Sequence, residues 1–334
     1  MDSPTPRERG PEQPWRRTAL AFLAAFAGVF VLFVLMVIVV DPYDSGRFPT
    51  FMPAGTPDDR APTINISRGR DPRFNAVLLG SSRGVLADPR HLSASTGFRF
   101  VEMATLGATV REQLAFLHWF ARHRPSVEAI VIATDQVWCN LDPALVGEAD
   151  FPYGLYDDSN LVYLKAALSS ATTTFAKERV LYALGLMRPF DREGYYDSEA
   201  KIAWPGVSAT SPDGQLASAI ASAPAPRKAD LPALARLDAA LRELPGLPPI
   251  VFWMPPYYRP ELPRPDTSAG QDLAACKEAL RDWTRRRPRA SFLDFATDMP
   301  EAADARNFLD PTHVSNRYMR LIEPRIADAL NRVK

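Results

Sequence analysis

The chain has 334 residues, enough for one large domain or two smaller ones. Lysine plus arginine and aspartate plus glutamate number 39 each, so net charge gives no reason to expect a nucleic acid or another strongly charged partner. The sequence contains no HExxH, P-loop or GxGxxG motif. We therefore expect no bound metal, no nucleotide and no other cofactor.

The first predicted element is a membrane-spanning helix. Residues 18–40 form an uninterrupted apolar run, and about 20 such residues in a helix cross the hydrocarbon core of a bilayer. Arginines precede the run and aspartates follow it, so the positive-inside bias puts residues 1–17 in the cytoplasm and the rest outside. A cleaved signal peptide is the alternative, but the run is long for one and no A-x-A site closes it. We expect a single-pass inner (plasma) membrane protein with a periplasmic or extracytoplasmic domain.

The remaining chain predicts a linker and one domain. Residues 41–70 are rich in Pro, Asp, Gly and Ser and predict the linker, and residues 71–334 predict the domain. Short apolar strands separated by helices indicate an α/β fold, a three-layer α/β/α sandwich with a mainly parallel five-stranded sheet. The predicted strands cover residues 76–80, 98–103, 129–134, 249–254 and 291–295, and the main helices cover 110–123, 271–287 and 314–332.

A long insertion interrupts this alternation at about residues 140–245. Within it, apolar spacing predicts a helix over 161–187, and residues 194–214 read as a loop rich in Tyr, Trp, Pro and Gly. Insertions at the carboxyl ends of strands often shape a substrate site.

Two short motifs carry the candidate chemistry. The first, Gly80-Ser81-Ser82-Arg83, follows the first strand, where ligands bind in open α/β sheets and a following helix can offer free N–H groups. Taken alone, Gly-Ser-Ser is more typical of an ordinary turn or a helix cap.

The second motif, Asp310-Pro311-Thr312-His313, precedes the last helix. Its spacing lets the Asp310 carboxylate bind one ring nitrogen of His313 while the other nitrogen faces a nucleophile. Alternatively, Asp310 only caps the helix. Because a parallel sheet brings both motifs to one edge, we predict a catalytic triad of Ser82, His313 and Asp310.

With these motifs the chain resembles the SGNH/GDSL hydrolase superfamily over roughly residues 74–334. That family has Gly-Asp-Ser after the first strand and Asp-x-x-His before the last helix. The resemblance implies that Ser82 is the nucleophile and that Ser81 stands where the family has Asp. It also implies an oxyanion hole formed by the N–H groups of Ser82 and Gly107.

The third block of the family, Gly-x-Asn-Asp, is altered here. The corresponding stretch is Ile132-Ala133-Thr134-Asp135, so Thr134 replaces the Asn that serves as an oxyanion donor. Losing one such donor costs on the order of 10²–10³ in rate. Thr134, Gln136 and Asn140 are the candidates to substitute for it.

Other residues are candidates for contact with the substrate. Arg83 and Asp135 form an ion pair beside the site, or else Arg83 holds an anionic group of the substrate. Tyr257, in the aromatic stretch after the fourth strand, is a candidate wall of an acyl or sugar pocket, whereas Trp253 is predicted to be core. The set of candidates is Arg83, Thr134, Asp135, Asn140 and Tyr257.

The Gly-Ser-Ser motif and the single anchor are similar to a membrane-anchored subgroup of the family. It includes the D-alanyl-transfer protein of teichoic acid synthesis and exported proteins of polysaccharide O-acylation. The resemblance implies an esterase or O-acyltransferase acting on acyl esters of a cell-envelope glycan or carrier, beside a membrane-bound O-acyltransferase. The alternative is a non-catalytic SGNH-shaped partner or scaffold of such a system.

The chain has two cysteines, Cys139 and Cys276, and their spacing fits no metal site. They form a disulfide in an oxidising compartment, or they are two small buried apolar side chains. The sequence leaves both alternatives open.

Overall fold

A computed structural model of the chain describes residues 14–57, 60–142, 144, 151–188, 191–195, 197 and 231–334. Nearly all of the loop predicted over 194–214 lies outside these residues. The α-helices in the described part are α1 (Pro14–Val40), α2 (Ala61–Arg70), α3 (Pro89–Thr96), α4 (Val110–Arg122), α5 (Tyr153–Tyr156), α6 (Asn160–Ala167), α7 (Ser170–Ala183), α8 (Pro232–Arg242), α9 (Ser268–Arg285) and α10 (Asn316–Arg332).

A single parallel sheet organises the domain. Its strands are β1 (Ala76–Gly80), β2 (Phe100–Ala104), β3 (Ala129–Ala133), β4 (Ile250–Met254) and β5 (Ala290–Asp294). They lie in the order β2-β1-β3-β4-β5, and all neighbouring pairs are parallel. The register sets Ala76 beside both Phe100 and Ala129. The five predicted strands are confirmed, with bounds shifted by at most two residues.

Both faces of the sheet are covered, which explains why its strands are apolar without alternation. In β1, Val77 and Leu79 join one buried cluster with residues of α4 and α9. Ala76 and Leu78 join a second cluster on the other face, with residues of α3 and α10. The result is the predicted three-layer α/β/α sandwich.

The helices form where apolar spacing and capping coincide. In α4 the buried side chains Phe116, Leu117 and Phe120 recur at helical spacing. At the N-terminus of this helix, the carboxylate of Glu112 accepts the backbone N–H of Thr109 at 2.6 Å. This device fixes the start of α4 directly after the loop that contains Gly107.

The N-terminal helix α1 stands apart from the core. In the part of the chain that the structure describes, it is the one helix long and apolar enough to cross a membrane. Only 6% of its apolar window is buried, so it is not a core helix. It begins at Pro14, so residues 14–17, predicted as part of the polar tail, are helical.

The segment predicted as a linker instead packs into the domain. Asp41 and Asp44 are buried, and Ile64 and Ile66 of α2 are buried in the apolar interior. The polar composition of residues 41–70 was misleading because the buried carboxylates are satisfied by hydrogen bonds within the protein.

In the predicted insertion, the structure describes three helices before residue 189. The single helix predicted over 161–187 is two helices, α6 and α7, separated at Leu168 and Ser169. Both contact α1, and α5 contacts α4. Helices α6 and α7 of the insertion therefore pack beside the apolar N-terminal helix.

Candidate functional site

A tight turn after β1 carries Ser82. The amide of Gly84 donates to the carbonyl of Ser81 at 2.9 Å, so the chain turns immediately after the strand. A Cβ built on Gly84 would lie 2.8 Å from the Cα of Gly80, closer than real Cβ atoms come to such atoms. Because glycine alone fits at both positions, the turn holds its shape and leaves Ser82 half-buried while Ser81 is buried.

The helix that follows does not offer its N-terminus to Ser82, contrary to the sequence-based expectation. It begins at Pro89, and the carboxylate of Asp88 caps it by accepting the N–H of Arg90 at 2.9 Å. Several turn residues separate this cap from Ser82. Stabilisation of an oxyanion therefore falls to turn and loop amides rather than to this helix.

The second motif lies in a loop closed by its own backbone. Phe308 and Val314 form an antiparallel bridge, and the amide of Leu309 donates to the carbonyl of His313 at 2.7 Å. Asp310 Oδ1 accepts the N–H of His313 at 2.9 Å, which fixes the carboxylate within this loop.

Asp310 does not cap the last helix. That helix begins at Asn316, two residues after the predicted start, and its cap is Ser315, whose Oγ accepts the N–H of Tyr318 at 3.3 Å. The carboxylate of Asp310 is therefore left to bind the loop and the imidazole of His313.

Ser82, His313 and Asp310 meet at the carboxyl edge of the sheet. His313 Nε2 lies 2.8 Å from Ser82 Oγ, although the two residues are 231 positions apart. His313 Nδ1 lies 2.6 Å from Asp310 Oδ2. With Nδ1–H donating to the carboxylate, Nε2 is left to accept the hydroxyl proton of Ser82. The arrangement has the order of a serine nucleophile, a base and an orienting acid.

The electrostatics of Asp310 favour its charged form. Partial burial raises the pKa of this carboxyl, but the hydrogen bond and charge of His313 and the backbone N–H groups of Thr312 and His313 outweigh burial and lower the pKa to about 2. Asp310 is therefore an anion at neutral pH, and it can stabilise a protonated His313.

The predicted oxyanion donors have open amides. Gly107 lies in the turn after β2 with a left-handed φ of 71°, and it is exposed. Within the described residues, the N–H groups of Ser82 and Gly107 donate to no protein atom. Both are free to bind an oxygen, and their joint role as an oxyanion hole stays a prediction.

Thr134 does not replace the missing Asn donor. It is fully buried, and its Oγ1 donates to the carbonyl of Trp253 at 3.1 Å, beside the backbone bond from Thr134 N to the same oxygen at 2.8 Å. Its hydroxyl joins β3 to β4, so the prediction that Thr134 contacts substrate is wrong. Asn140 is exposed just beyond a short 3-10 helix, Gln136–Cys139, and its side-chain oxygen accepts the N–H of Asp142 at 2.9 Å.

The predicted ion pair between Arg83 and Asp135 is not formed. Asp135 is buried and accepts hydrogen bonds from the hydroxyl of Ser81 and from the N–H of Val137, the latter at 3.0 Å. It therefore anchors the turn after β1 to the start of the 3-10 helix after β3. The proposed substrate contact of Asp135 is wrong because its carboxylate is buried against these groups.

Arg83 is likewise a structural residue. Its Nη2 donates to the carbonyls of Pro255 and Pro256 at 2.9 and 2.6 Å, and its guanidinium lies 4.3 Å from the ring centre of Tyr257. Both side chains are buried, so neither Arg83 nor Tyr257 is open to a substrate as predicted. Together they fix the loop after β4 against the turn that carries Ser82. As predicted, Trp253 is core.

Cys139 and Cys276 form a disulfide with Cα atoms 5.3 Å apart. The bond joins the 3-10 helix after β3 to α9. It settles the alternative left open by the sequence, since spacing alone does not show which cysteines meet in space.

Two features of the site were missed at the level of sequence. One is the close packing of Gly80 on Gly84, for which the Gly-x-x-x-Gly spacing is the available signal. The other is the bond from Ser81 to Asp135, for which the sequence carries no signal, because 54 positions separate the two residues.

The fold and the site define a parallel α/β protein with a Ser-His-Asp arrangement at the carboxyl edge of its sheet. Comparison with protein-family models and with curated proteins finds no match to the chain. The geometry of the site is therefore the evidence for its function.

Proposed function

We propose that the protein is a membrane-anchored, extracytoplasmic serine esterase or O-acyltransferase of the SGNH/GDSL type. The observation that carries this proposal is the contact of Ser82 Oγ with His313 Nε2 at 2.8 Å, with Nδ1 held by Asp310 at 2.6 Å. Such a triad activates a hydroxyl that is otherwise a weak nucleophile at neutral pH.

The reaction has two halves. Ser82 Oγ attacks the carbonyl carbon of an acyl ester while its proton passes to His313 Nε2, and Asp310 stabilises the imidazolium. The amides of Ser82 and Gly107 bind the developing oxyanion. Collapse of the intermediate breaks the ester bond, and His313 returns the proton to the leaving alcohol. In the second half, water or a sugar hydroxyl attacks the acyl carbon and gives its proton to His313. The bond between the acyl group and Ser82 Oγ then breaks, and His313 returns the proton to Ser82. Attack by water gives hydrolysis, and attack by a sugar hydroxyl gives transfer.

The substrate class follows from the proposed location. Two observations support a location outside the cytoplasm: arginines precede the apolar run, which favours a cytoplasmic N-terminus, and a disulfide between Cys139 and Cys276 is typical of oxidising compartments. Acyl esters of a cell-envelope glycan or of an acyl carrier are the substrates available there. A membrane-bound O-acyltransferase is the partner that the family resemblance suggests.

A fluorophosphonate probe tests the chemistry on the full chain in detergent or nanodiscs. We expect the wild type to be labelled at Ser82 and to release p-nitrophenol from p-nitrophenyl acetate, and Ser82→Ala to lose both activities. Ser95→Ala is the matched control, because Ser95 is an exposed serine on α3, and this variant should keep both labelling and hydrolysis. Labelling that persists in Ser82→Ala, or a folded wild type that is not labelled, would contradict the proposal.

One observation favours a second candidate, a non-catalytic scaffold of a membrane acyltransferase system. Thr134 stands where the family has its Asn donor, and its hydroxyl is buried against the carbonyl of Trp253. A scaffold needs no oxyanion donor at this position. Full biological activity of Ser82→Ala, with an unlabelled wild type, would support the scaffold and reject the enzyme.

A further inference from the structure

Exposed apolar side chains lie on segments that pack near the domain end of α1. Phe51 is fully exposed at 102%, Leu161 at 77%, and Leu168 and Val162 at 45% and 40%. We call these four residues the apolar rim. Single exposed apolar residues are common on protein surfaces, whereas a group of them in one region is typical of a surface that contacts a protein or a membrane.

The rim lies on segments that touch α1. Thr50 Oγ1 donates to the carbonyl of Val39 at 2.6 Å, which places the neighbouring Phe51 beside the last turn of the helix. Leu161 and Val162 belong to α6, which contacts α1. Leu168 lies between α6 and α7, and α7 also contacts α1.

The length of α1 indicates where a bilayer would end. Its apolar part, residues 18–40, extends about 35 Å, while the hydrocarbon core is about 30 Å thick. The surplus is about one turn at the domain end, where Val37 is only 1% exposed and Met36 packs against the apolar interior of the domain. The domain therefore begins where the hydrocarbon would end, without a spacer.

Asp41 makes the chain leave α1 in a fixed direction. It has a left-handed φ of 46° and is fully buried. Its carboxylate accepts the N–H of Ser45 at 2.9 Å and the N–H of Gly46 at 2.7 Å. These bonds close a compact turn immediately after the helix.

Asp44 ties the same turn to the domain. Its carboxylate binds Arg179 of α7 at 2.9 Å and Arg70 of α2 at 2.6 Å. Arg179 is fully buried, and its Nε also donates to the carbonyl of Val40 at 3.3 Å. Removing Asp44 would leave the buried guanidinium of Arg179 without an anionic partner, so these bonds hold the end of α1 against the domain.

We propose that the apolar rim inserts into the lipid interface and seats the domain directly on the bilayer. This inference rests on the membrane anchoring in the proposed function. A rigid junction holds the rim at the depth where α1 leaves the hydrocarbon, and apolar side chains at that depth gain by leaving water. Exposed Lys165 of α6 suits anionic headgroups beside the rim.

Site-directed quenching on the full chain tests the inference. Four variants each carry one added cysteine, at Phe51, Leu168, Phe26 or Leu321. Each variant is labelled with bimane in the absence of reductant. The labelled protein is then reconstituted into vesicles of phosphatidylethanolamine and phosphatidylglycerol, with or without doxyl lipids. The native cysteines do not react because they are paired. Phe26 lies within α1, and Leu321, 55% exposed on α10, lies on the opposite face of the sheet and is the matched control.

We expect doxyl lipid to reduce emission about twofold or more at positions 51 and 168, best with the doxyl group near the headgroup. Emission at position 26 should also fall, and emission at position 321 should not change. Quenching at position 26 without quenching at positions 51 and 168 would overturn the proposed insertion of the rim but leave the membrane anchor intact. Quenching at position 321 as strong as at positions 51 and 168 would indicate unspecific adsorption of the domain and would also overturn the insertion of the rim. No quenching at 26 would overturn both the rim and the proposed anchor.

Discussion

Gly80 and Gly84 pack against each other so closely that a Cβ on either residue would lie 2.8 Å from the Cα of the other. The Cβ of Ala133 on β3 closes the same space, at 3.0 Å from a Cβ built on Gly80. This contact sets the path of the turn between them. It thereby decides where Ser82 Oγ stands relative to His313.

We predict that Gly84→Ala displaces Ser82. The added methyl must move the turn, which costs about 1–3 kcal/mol for a crowded buried site. A displacement of about 1 Å at a reacting atom lowers the rate by about 10²-fold. Thermal unfolding and the rate of fluorophosphonate labelling measure the two effects. Gly28→Ala, at a glycine of α1 with open space around it, is the control and should change neither.

Asp310→Asn should reduce turnover far more than it reduces stability. The amide is similar in size to the carboxylate, but it presents an N–H or a neutral oxygen to His313 Nδ1 in place of an anion. Loss of the anion favours the wrong tautomer of the histidine and costs on the order of 10⁴-fold in rate in a Ser-His-Asp triad. The rate of p-nitrophenyl acetate hydrolysis is the measurement.

The control for this substitution is Asp304→Asn, which changes a carboxylate six positions earlier that pairs with Arg306 at the surface. It should retain wild-type turnover. Equal loss of turnover in both variants would show that Asp310 acts on the loop as a whole and not through the imidazole.

The pH dependence of stability should report on Asp310. Its pKa in the folded protein is about 2, below the ordinary value of 3.8. A carboxyl whose pKa is lower in the folded state stabilises the protein above the ordinary pKa, and this contribution is lost as pH falls from about 4 to about 2. The difference in unfolding free energy between wild type and Asp310→Asn should therefore shrink over that range. A constant difference across it would show that the charge of Asp310 does not contribute to folding.

Removing the disulfide should destabilise the domain without abolishing labelling at Ser82. The bond closes a loop of 137 residues, and loss of a native disulfide typically costs about 2–5 kcal/mol. We expect Cys139→Ser/Cys276→Ser to unfold at lower denaturant concentration than the wild type. Reductant should lower the denaturation midpoint of the wild type to that of the double variant, and it should leave the midpoint of the double variant unchanged. Two thiols that react with maleimide in the unreduced wild type would contradict the bond.

The strands were predictable because their signal is local. Runs such as Val77–Leu78–Leu79 remain apolar on successive positions because helices cover both faces of the sheet. The predicted ends of elements were less accurate where a capping residue sets the first residue of a helix. Val314 continues the apolar pattern of α10, but the hydroxyl of Ser315 starts the helix two residues later.

The polar groups were where local pattern misled. Asp41 and Asp44 look like residues of an exposed linker. Asp44 is instead buried, and its carboxylate binds two arginines that lie 26 and 135 positions away in the chain. Arg83 and Asp135 look like natural partners, yet each is satisfied by a different group. Sequence gives the charge of a side chain but not the distant group that neutralises it.

Composition and local spacing were enough to predict the apolar N-terminal helix and the α/β class, and to choose Ser82, His313 and Asp310 as candidates. Each depends on neighbours within a few positions of the chain. The tertiary structure decided that Ser82 and His313 meet across 231 positions, that Thr134 faces Trp253, and that the cysteines pair. These depend on the order of parallel strands, which brings remote loops to one edge of the sheet and buries the polar groups between them.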